Sequence, residues 1–142
     1  MLKFYPDRNM SSMIDQDTKV QAKYVYLLVA EAIQKTCDEE LVYEMLVMLN
    51  SSIEKDWAEF VDCFNLKQFT AAANILHGMK GAIPIFSDKK TEVVLQKTES
   101  LLRSATANEF ELQKATEELR VQLHGFIAEL KHWVQLQNSL ST

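Results

Sequence analysis

Apolar residues recur at spacings of three and four along most of the chain, the pattern of helices that bury one face. One stripe begins near Leu41 and continues through Phe64, and the most regular one extends from Leu112 to Val134. The pattern predicts five helices, with Met45, Met48 and Met79 among the core residues. The three shorter stripes extend over Val20 to Ile33, Phe69 to Ile83, and Val93 to Leu102.

Side chains that can cap a helix precede these stripes. Ser, Thr, Asp or Asn followed three residues later by Glu or Gln satisfies free backbone N–H groups at a helix start. Caps and stripes together predict helices at about 18–35, 36–65, 67–86, 88–104 and 106–137. The candidate caps are Thr18 with Gln21, Thr36 with Glu39, Ser87 with Asp88, and either Thr106 with Glu109 or Asn108 with Glu111.

The connections between these helices are short, which favours antiparallel packing of neighbours. The expected fold is all-α: an antiparallel up-down four-helix bundle with an additional N-terminal helix across one end. Residues 1–16 are predicted to form a flexible leader, 17–138 the bundle domain and 139–142 a tail. Composition agrees, because 142 residues with only 3 Gly and 2 Pro lack the turn residues of a β fold.

Charge and cysteine content narrow the function classes. A net charge of −5, with Lys and Arg scattered, argues against nucleic-acid binding. Cys37 and Cys63 lack metal-ligand spacing and are too few for a disulfide framework, which agrees with a reducing compartment. The most apolar run, Tyr24 to Ala30, is too short to cross a bilayer, and no secretory leader is recognisable. We therefore expect a cytoplasmic protein, or the soluble domain of a membrane-bound one, without direct membrane insertion.

The stretch from His77 to Gly81 carries the candidate chemistry. On a helical wheel of the third helix, His77 falls about 125° from the centre of the apolar stripe, so its ring is expected to be exposed. Lys80, three residues later, faces the same spot from nearer the core boundary. Gly81, four residues after His77, shares that face, where a helical glycine costs about 1 kcal/mol relative to Ala. A close approach by another molecule would account for it.

These residue types suit phosphoryl transfer. A neutral imidazole is a competent nucleophile near pH 7. The transfer needs an in-line path and charge neutralisation, and an ammonium such as that of Lys80 can stabilise the phosphoryl oxygens. Nothing near His77 in the sequence resembles a Mg²⁺ cage or a nucleotide-binding loop. We expect a phosphocarrier and not a stand-alone kinase, with the metal and the other catalytic groups supplied by a partner.

The segment Ala73 to Gly81, reading Ala-Asn-Ile-Leu-His-Gly-Met-Lys-Gly, resembles the motif of histidine-containing phosphotransfer (HPt) domains. That motif is an Ala- and Leu-rich helix with His-x-x-Lys-Gly at its functional end. The likeness covers about Val20 to Trp133, and it includes Glu99, where the family often has an acidic residue. The chain departs from the family after the motif, where Ile83 to Ser87 replaces small polar residues and a glycine.

The resemblance implies that His77 is the phosphoacceptor of a two-component phosphorelay, with Lys80 stabilising phosphohistidine and Gly81 leaving room for a receiver domain. The partners would be response-regulator receiver domains and an upstream hybrid sensor kinase. No cofactor is expected in this chain, since the Mg²⁺ would belong to the receiver. The face expected to bind partners comprises Thr70, Ala73, Asn74 and Pro84.

The same residues permit other interpretations. The bundle could be a docking adaptor in which His77 is incidental, or a degenerate relative that binds receivers without carrying phosphate. The intact His77, Lys80 and Gly81 argue against the second. His124 and His132 are expected at the surface, and a zinc site from His77, His124 and Cys63 would need separate helices to converge. No metal site is therefore predicted.

Overall fold

The computed structural model of the protein describes residues 24–140, which form six helices and no strand beyond an isolated bridge between Leu27 and Ser87. The all-α fold class is thereby confirmed. The predicted leader, the start of the predicted first helix and the last two residues lie outside the described part of the chain. The helices are α1 (Val29–Thr36), α2 (Glu39–Asn65), α3 (Phe69–Met79), α4 (Ile83–Phe86), α5 (Lys89–Arg103) and α6 (Glu109–Leu140).

The helices form a bundle around one hydrophobic core. α2 packs against α3 and α6, and α5 packs against the same two helices from the other side. The short helices α1 and α4 contact each other, and they also contact α2 and α5 respectively. Within residues 24–140, no helix combines the length and the apolar content that a membrane crossing requires. The largest fully buried side chains include Phe60, Phe86, Phe126, Leu46, Leu76 and Leu119.

Two of the predicted helix starts are confirmed and one is wrong. Asn108 and Glu111 exchange hydrogen bonds at the start of α6, and Asp88 accepts one from the Thr91 N–H at the start of α5. Asp38 caps α2, because its carboxylate accepts from the Leu41 N–H at 3.0 Å. The hydroxyl of Thr36, the predicted cap, instead donates to a carbonyl one turn back in α1.

The long third helix predicted at 67–86 is divided in two. α3 ends at Met79, and residues 80–82 form a turn before α4. In that turn the Gly81 N–H donates to the Gly78 carbonyl three residues back, at 3.1 Å. Pro84, at the start of α4, has no N–H to donate to the Lys80 carbonyl and so cannot continue the α3 ladder.

The predicted core of α2 is partly wrong. Leu41 and Met48 are 43% and 69% exposed, whereas Val42 and Leu46 are fully buried. An apolar stripe this wide permits either side of it to be buried, and the packing of α1 and α6 against α2 selects the side that carries Val42. Met79 is buried in α3 as expected.

Residues 24–28 are irregular, although the sequence predicts helix there. The Glu129 carboxylate of α6 accepts hydrogen bonds from the N–H groups of Val25, Tyr26 and Leu27, at 3.0, 2.8 and 2.9 Å. These backbone donors are satisfied without helical geometry, and the Leu27 side chain of this segment is buried in the hydrophobic core. At the other end of the chain, α6 extends to Leu140, three residues beyond the end predicted at Gln137.

Candidate functional site

His77 lies in the last turn of α3 with its side chain 70% exposed. The prediction that its ring stands clear of the core is confirmed. Its Nδ1 atom faces α5, where it lies 3.3 Å from Oε2 of Glu99. The ring is thus held on one side by a carboxylate, and most of the side chain is open to solvent.

Glu99 is the centre of the site, because three basic side chains converge on its buried carboxylate. The Lys80 ammonium lies 2.7 Å from Oε1 of Glu99 and forms an ion pair with it, although the angle between them is not that of a hydrogen bond. The same ammonium donates a hydrogen bond to Oε1 of Gln96 at 2.7 Å. The Arg103 Nε atom donates to Glu99 Oε2 at 3.0 Å. Only 21% of the Lys80 side chain is exposed, as its predicted position at the core boundary requires.

The charge state of Glu99 follows from a balance of burial and neighbouring cations. Burial alone would raise the pKa of Glu99, but the positive charge of Lys80, the hydrogen bond from Arg103 and the charge of His77 when its ring is protonated lower the pKa below its ordinary value. Glu99 is therefore ionised at neutral pH and can only accept hydrogen bonds.

An ionised carboxylate beside Nδ1 determines which His77 nitrogen carries the hydrogen. Because Glu99 Oε2 cannot donate, its contact with Nδ1 requires the hydrogen on Nδ1. In the neutral ring the lone pair is then on Nε2, which this contact leaves unused. The arrangement leaves Nε2 as the nucleophilic nitrogen of a side chain that is 70% exposed.

The two glycines beside His77 differ in their surroundings. A Cβ atom at Gly81 would lie 3.3 Å from the Gly78 carbonyl oxygen, so the turn after α3 itself favours glycine there. A Cβ atom at Gly78 would meet no atom within 4 Å. Gly81 was predicted to lie inside a helix; it lies in the turn, exposed to solvent.

The predicted partner-binding residues are only partly at the surface. Thr70 and Asn74 are exposed on α3, and Pro84 is half-buried in α4. Ala73 is fully buried, so its predicted place on an exposed face is wrong. The reason is that α3 packs between α2 and α5, which cover both flanks of its apolar stripe.

Sequence reasoning missed Arg103 and Gln96. Arg103 bridges the two helices, since its Nη2 atom donates to Oδ1 of Asn74 at 3.0 Å while Nε contacts Glu99. Arg103 lies four residues after Glu99 and Gln96 three residues before it, so all three side chains share one face of α5. This spacing is the feature of the sequence from which both residues could have been identified.

The remaining histidines do not join the site. The His124 ring is exposed and meets the edge of Trp57, and His132 Nδ1 lies 2.7 Å from the Tyr24 hydroxyl. Cys63 is half-buried in α2. Among residues 24–140, no three His, Cys, Asp or Glu side chains are grouped in a way that could hold a metal ion.

Comparison of the chain with protein-family models, with curated proteins and with solved structures finds no match.

Proposed function

We propose that the protein is a histidine phosphotransfer protein that relays a phosphoryl group between receiver-domain aspartates through phosphohistidine at His77. The observation that carries this proposal is the exposed imidazole of His77, held through Nδ1 by the ionised Glu99 with the Lys80 ammonium beside it. The proposal places the protein in two-component signal transduction, in the cytoplasm, between a hybrid sensor kinase and a response regulator.

The bundle in this proposal is an up-down arrangement of the four long helices. The packing of α2 against α3 and α6, and of α5 against the same two, supports a closed ring of four. α1 and α4 are then additions that contact each other beside this ring. The phosphoacceptor helix α3 belongs to the ring, so its backbone is held on two sides while its outer face remains available to a partner.

In the first transfer, the Nε2 lone pair of His77 attacks the phosphorus of an aspartyl phosphate on a receiver domain. The bond between phosphorus and the aspartate oxygen breaks, and its electron pair leaves with the carboxylate. The ring gains an Nε2–P bond, keeps its hydrogen on Nδ1 and becomes cationic, a charge that Glu99 stabilises. In the second transfer, the aspartate of another receiver attacks the phosphorus and Nε2 recovers its electron pair.

Lys80 neutralises the phosphoryl oxygens during both transfers. Its ammonium lies within reach of two acceptors, Glu99 and Gln96, and it exchanges the neutral Gln96 contact for the phosphoryl group. Mg²⁺ belongs to the receiver domain in this scheme. The partner face consists of Thr70, Asn74 and Pro84 together with the glycine turn after α3.

The test is to incubate the protein with Mg²⁺ and a panel of purified receiver domains that carry labelled aspartyl phosphate. We expect acid-labile, base-stable label on the wild-type protein and none on His77→Gln. His124→Gln is the matched control, since this exposed histidine lies outside the site, and it should be labelled like the wild type. Receiver binding without transfer of label would overturn the carrier and support a docking adaptor instead.

A further inference from the structure

Neither the backbone conformation nor the packing of the protein requires a glycine at position 78. It lies inside α3 and does not adopt a positive φ angle, so no backbone constraint requires glycine. A Cβ atom there would meet open space, so no packing constraint requires it either. A glycine inside a helix is less favourable than alanine, because it loses more backbone entropy on folding.

The other two of the chain's three glycines have such reasons. At Gly125 a Cβ atom would overlap the Tyr26 ring, so that site admits only glycine while Tyr26 stays in place. At Gly81 the contact with the Gly78 carbonyl favours glycine in the turn. Gly78 is the exception, and it is the residue next to His77.

Gly78 leaves exposed backbone without a side chain on the outer face of α3. Thr70, Asn74 and Gly78 follow one another at intervals of four, so they form one row along the helix. Thr70 and Asn74 carry exposed side chains, whereas Gly78, the residue next to His77, exposes only its backbone. Gly81, also exposed, widens this bare area.

We propose that Gly78 is a specificity-determining position for the phosphoryl transfer. The inference rests on the proposed function. The missing side chain allows a receiver domain to bring its backbone against α3, so that its aspartyl phosphate comes in line with His77 Nε2. A misplacement of about 1 Å at a reacting centre can cost roughly a hundredfold in rate, and one added methyl group is large enough to cause it.

The test compares two phosphoryl donors on Gly78→Ala and Gly78→Leu. One donor is a purified receiver domain that transfers label to the wild type, and the other is phosphoramidate, which is too small to contact the helix around His77. We expect receiver-dependent transfer to fall about tenfold in Gly78→Ala and about a hundredfold in Gly78→Leu. For each variant, the factor by which the rate falls with phosphoramidate should be at least ten times smaller than the factor with the receiver domain. Gly78→Ala should also raise the unfolding midpoint by a few degrees.

The matched control is Ala128→Leu, an exposed position on α6, whose packing partners are α2 and α5. It enlarges a helix-surface side chain away from α3 and should leave both transfers as in the wild type. Equal rates for wild type and Gly78→Leu with the receiver would overturn the role of Gly78 while leaving the carrier intact. An equal loss with both donors would also overturn it, since the defect would then lie in His77 itself. If no receiver labels the wild type, the proposed function fails and the inference fails with it.

Discussion

The Glu99 carboxylate lies 3.3 Å from Nδ1 of His77, although the two residues are 22 positions apart and on different helices. The contact joins an exposed ring to a side chain with only 9% of its surface exposed. Glu99 can hold a charge there because Lys80 and Arg103 approach it within 2.7 and 3.0 Å. The orientation of the ring therefore depends on this ion cluster as well as on the helix that carries the histidine.

Replacing Glu99 with Gln should remove the charge while keeping the shape of the side chain. The Gln amide can donate to Nδ1, so the hydrogen on Nδ1 is no longer required and the Nε2–H tautomer should gain population. Loss of a charge-assisted hydrogen bond, about 1.5–3 kcal/mol, corresponds to a fall in transfer rate of roughly tenfold to a hundredfold. Imidazole ¹⁵N chemical shifts and transfer kinetics measure the two effects. Glu92→Gln, which removes a more exposed carboxylate paired with Lys89 on the same helix, is the control.

The stability of the protein should depend on pH through Glu99. Its pKa in the folded protein lies below the ordinary value of 4.5, so the folded state binds this proton more weakly than the unfolded state. The stabilisation is present above pH 4.5 and is lost as the pH falls through the lower pKa of the folded state. The measurement is the free energy of unfolding of the wild type and of Glu99→Gln between pH 3 and 7. The difference in unfolding free energy between the two proteins should be constant near pH 7 and should become smaller below about pH 4.5. A difference that grows on acidification would contradict the lowered pKa of Glu99.

Replacing Lys80 with Met should slow transfer and shorten the lifetime of phosphohistidine, because the ammonium that neutralises the phosphoryl oxygens is removed. Arg103 still pairs with Glu99, so we expect the free energy of unfolding to fall by only about 1–2 kcal/mol. The control is Lys89→Met, which breaks an ion pair whose lysine side chain is 80% exposed. It should change the free energy of unfolding by less than about 1 kcal/mol. Chemical denaturation and the decay of labelled phosphohistidine provide both readouts. A loss of the folded state in Lys80→Met would show that this lysine is mainly structural.

A methyl group at Gly125 should detach the segment before α1. The new Cβ atom would overlap the Tyr26 ring, and relief of such a clash typically costs about 1–3 kcal/mol. Hydrogen exchange should accelerate at the N–H groups of Val25 and Leu27, which Glu129 holds. In the double variant with Tyr26→Ala the two losses should not add, because the second change removes the ring that the methyl group strikes. Additive losses would show that the clash is not the cause.

Much of the fold follows from local patterns in the chain. The helical class, the starts of α5 and α6 and the exposure of His77 were predictable, because periodicity and capping act over a few residues. The end of α3 was less so: a stripe from Phe69 to Ile83 continues the helical period through the turn at 80–82. The turn forms because Pro84 lacks a donor and the chain can close a tighter bond between Gly81 and Gly78.

The candidate site was predictable only as far as it is local. His77, Lys80 and Gly81 are neighbours in sequence, and the common side of His77 and Lys80 follows from their spacing of three residues. The ion cluster is different, because α5 must pack beside α3 before Glu99 and Arg103 can reach His77 and Asn74. Burial of Ala73 and exposure of Met48 have the same origin, since neighbouring helices select which part of a broad apolar stripe is covered. A single helix cannot encode its neighbour's position, and the charge that orients the imidazole comes from that neighbour.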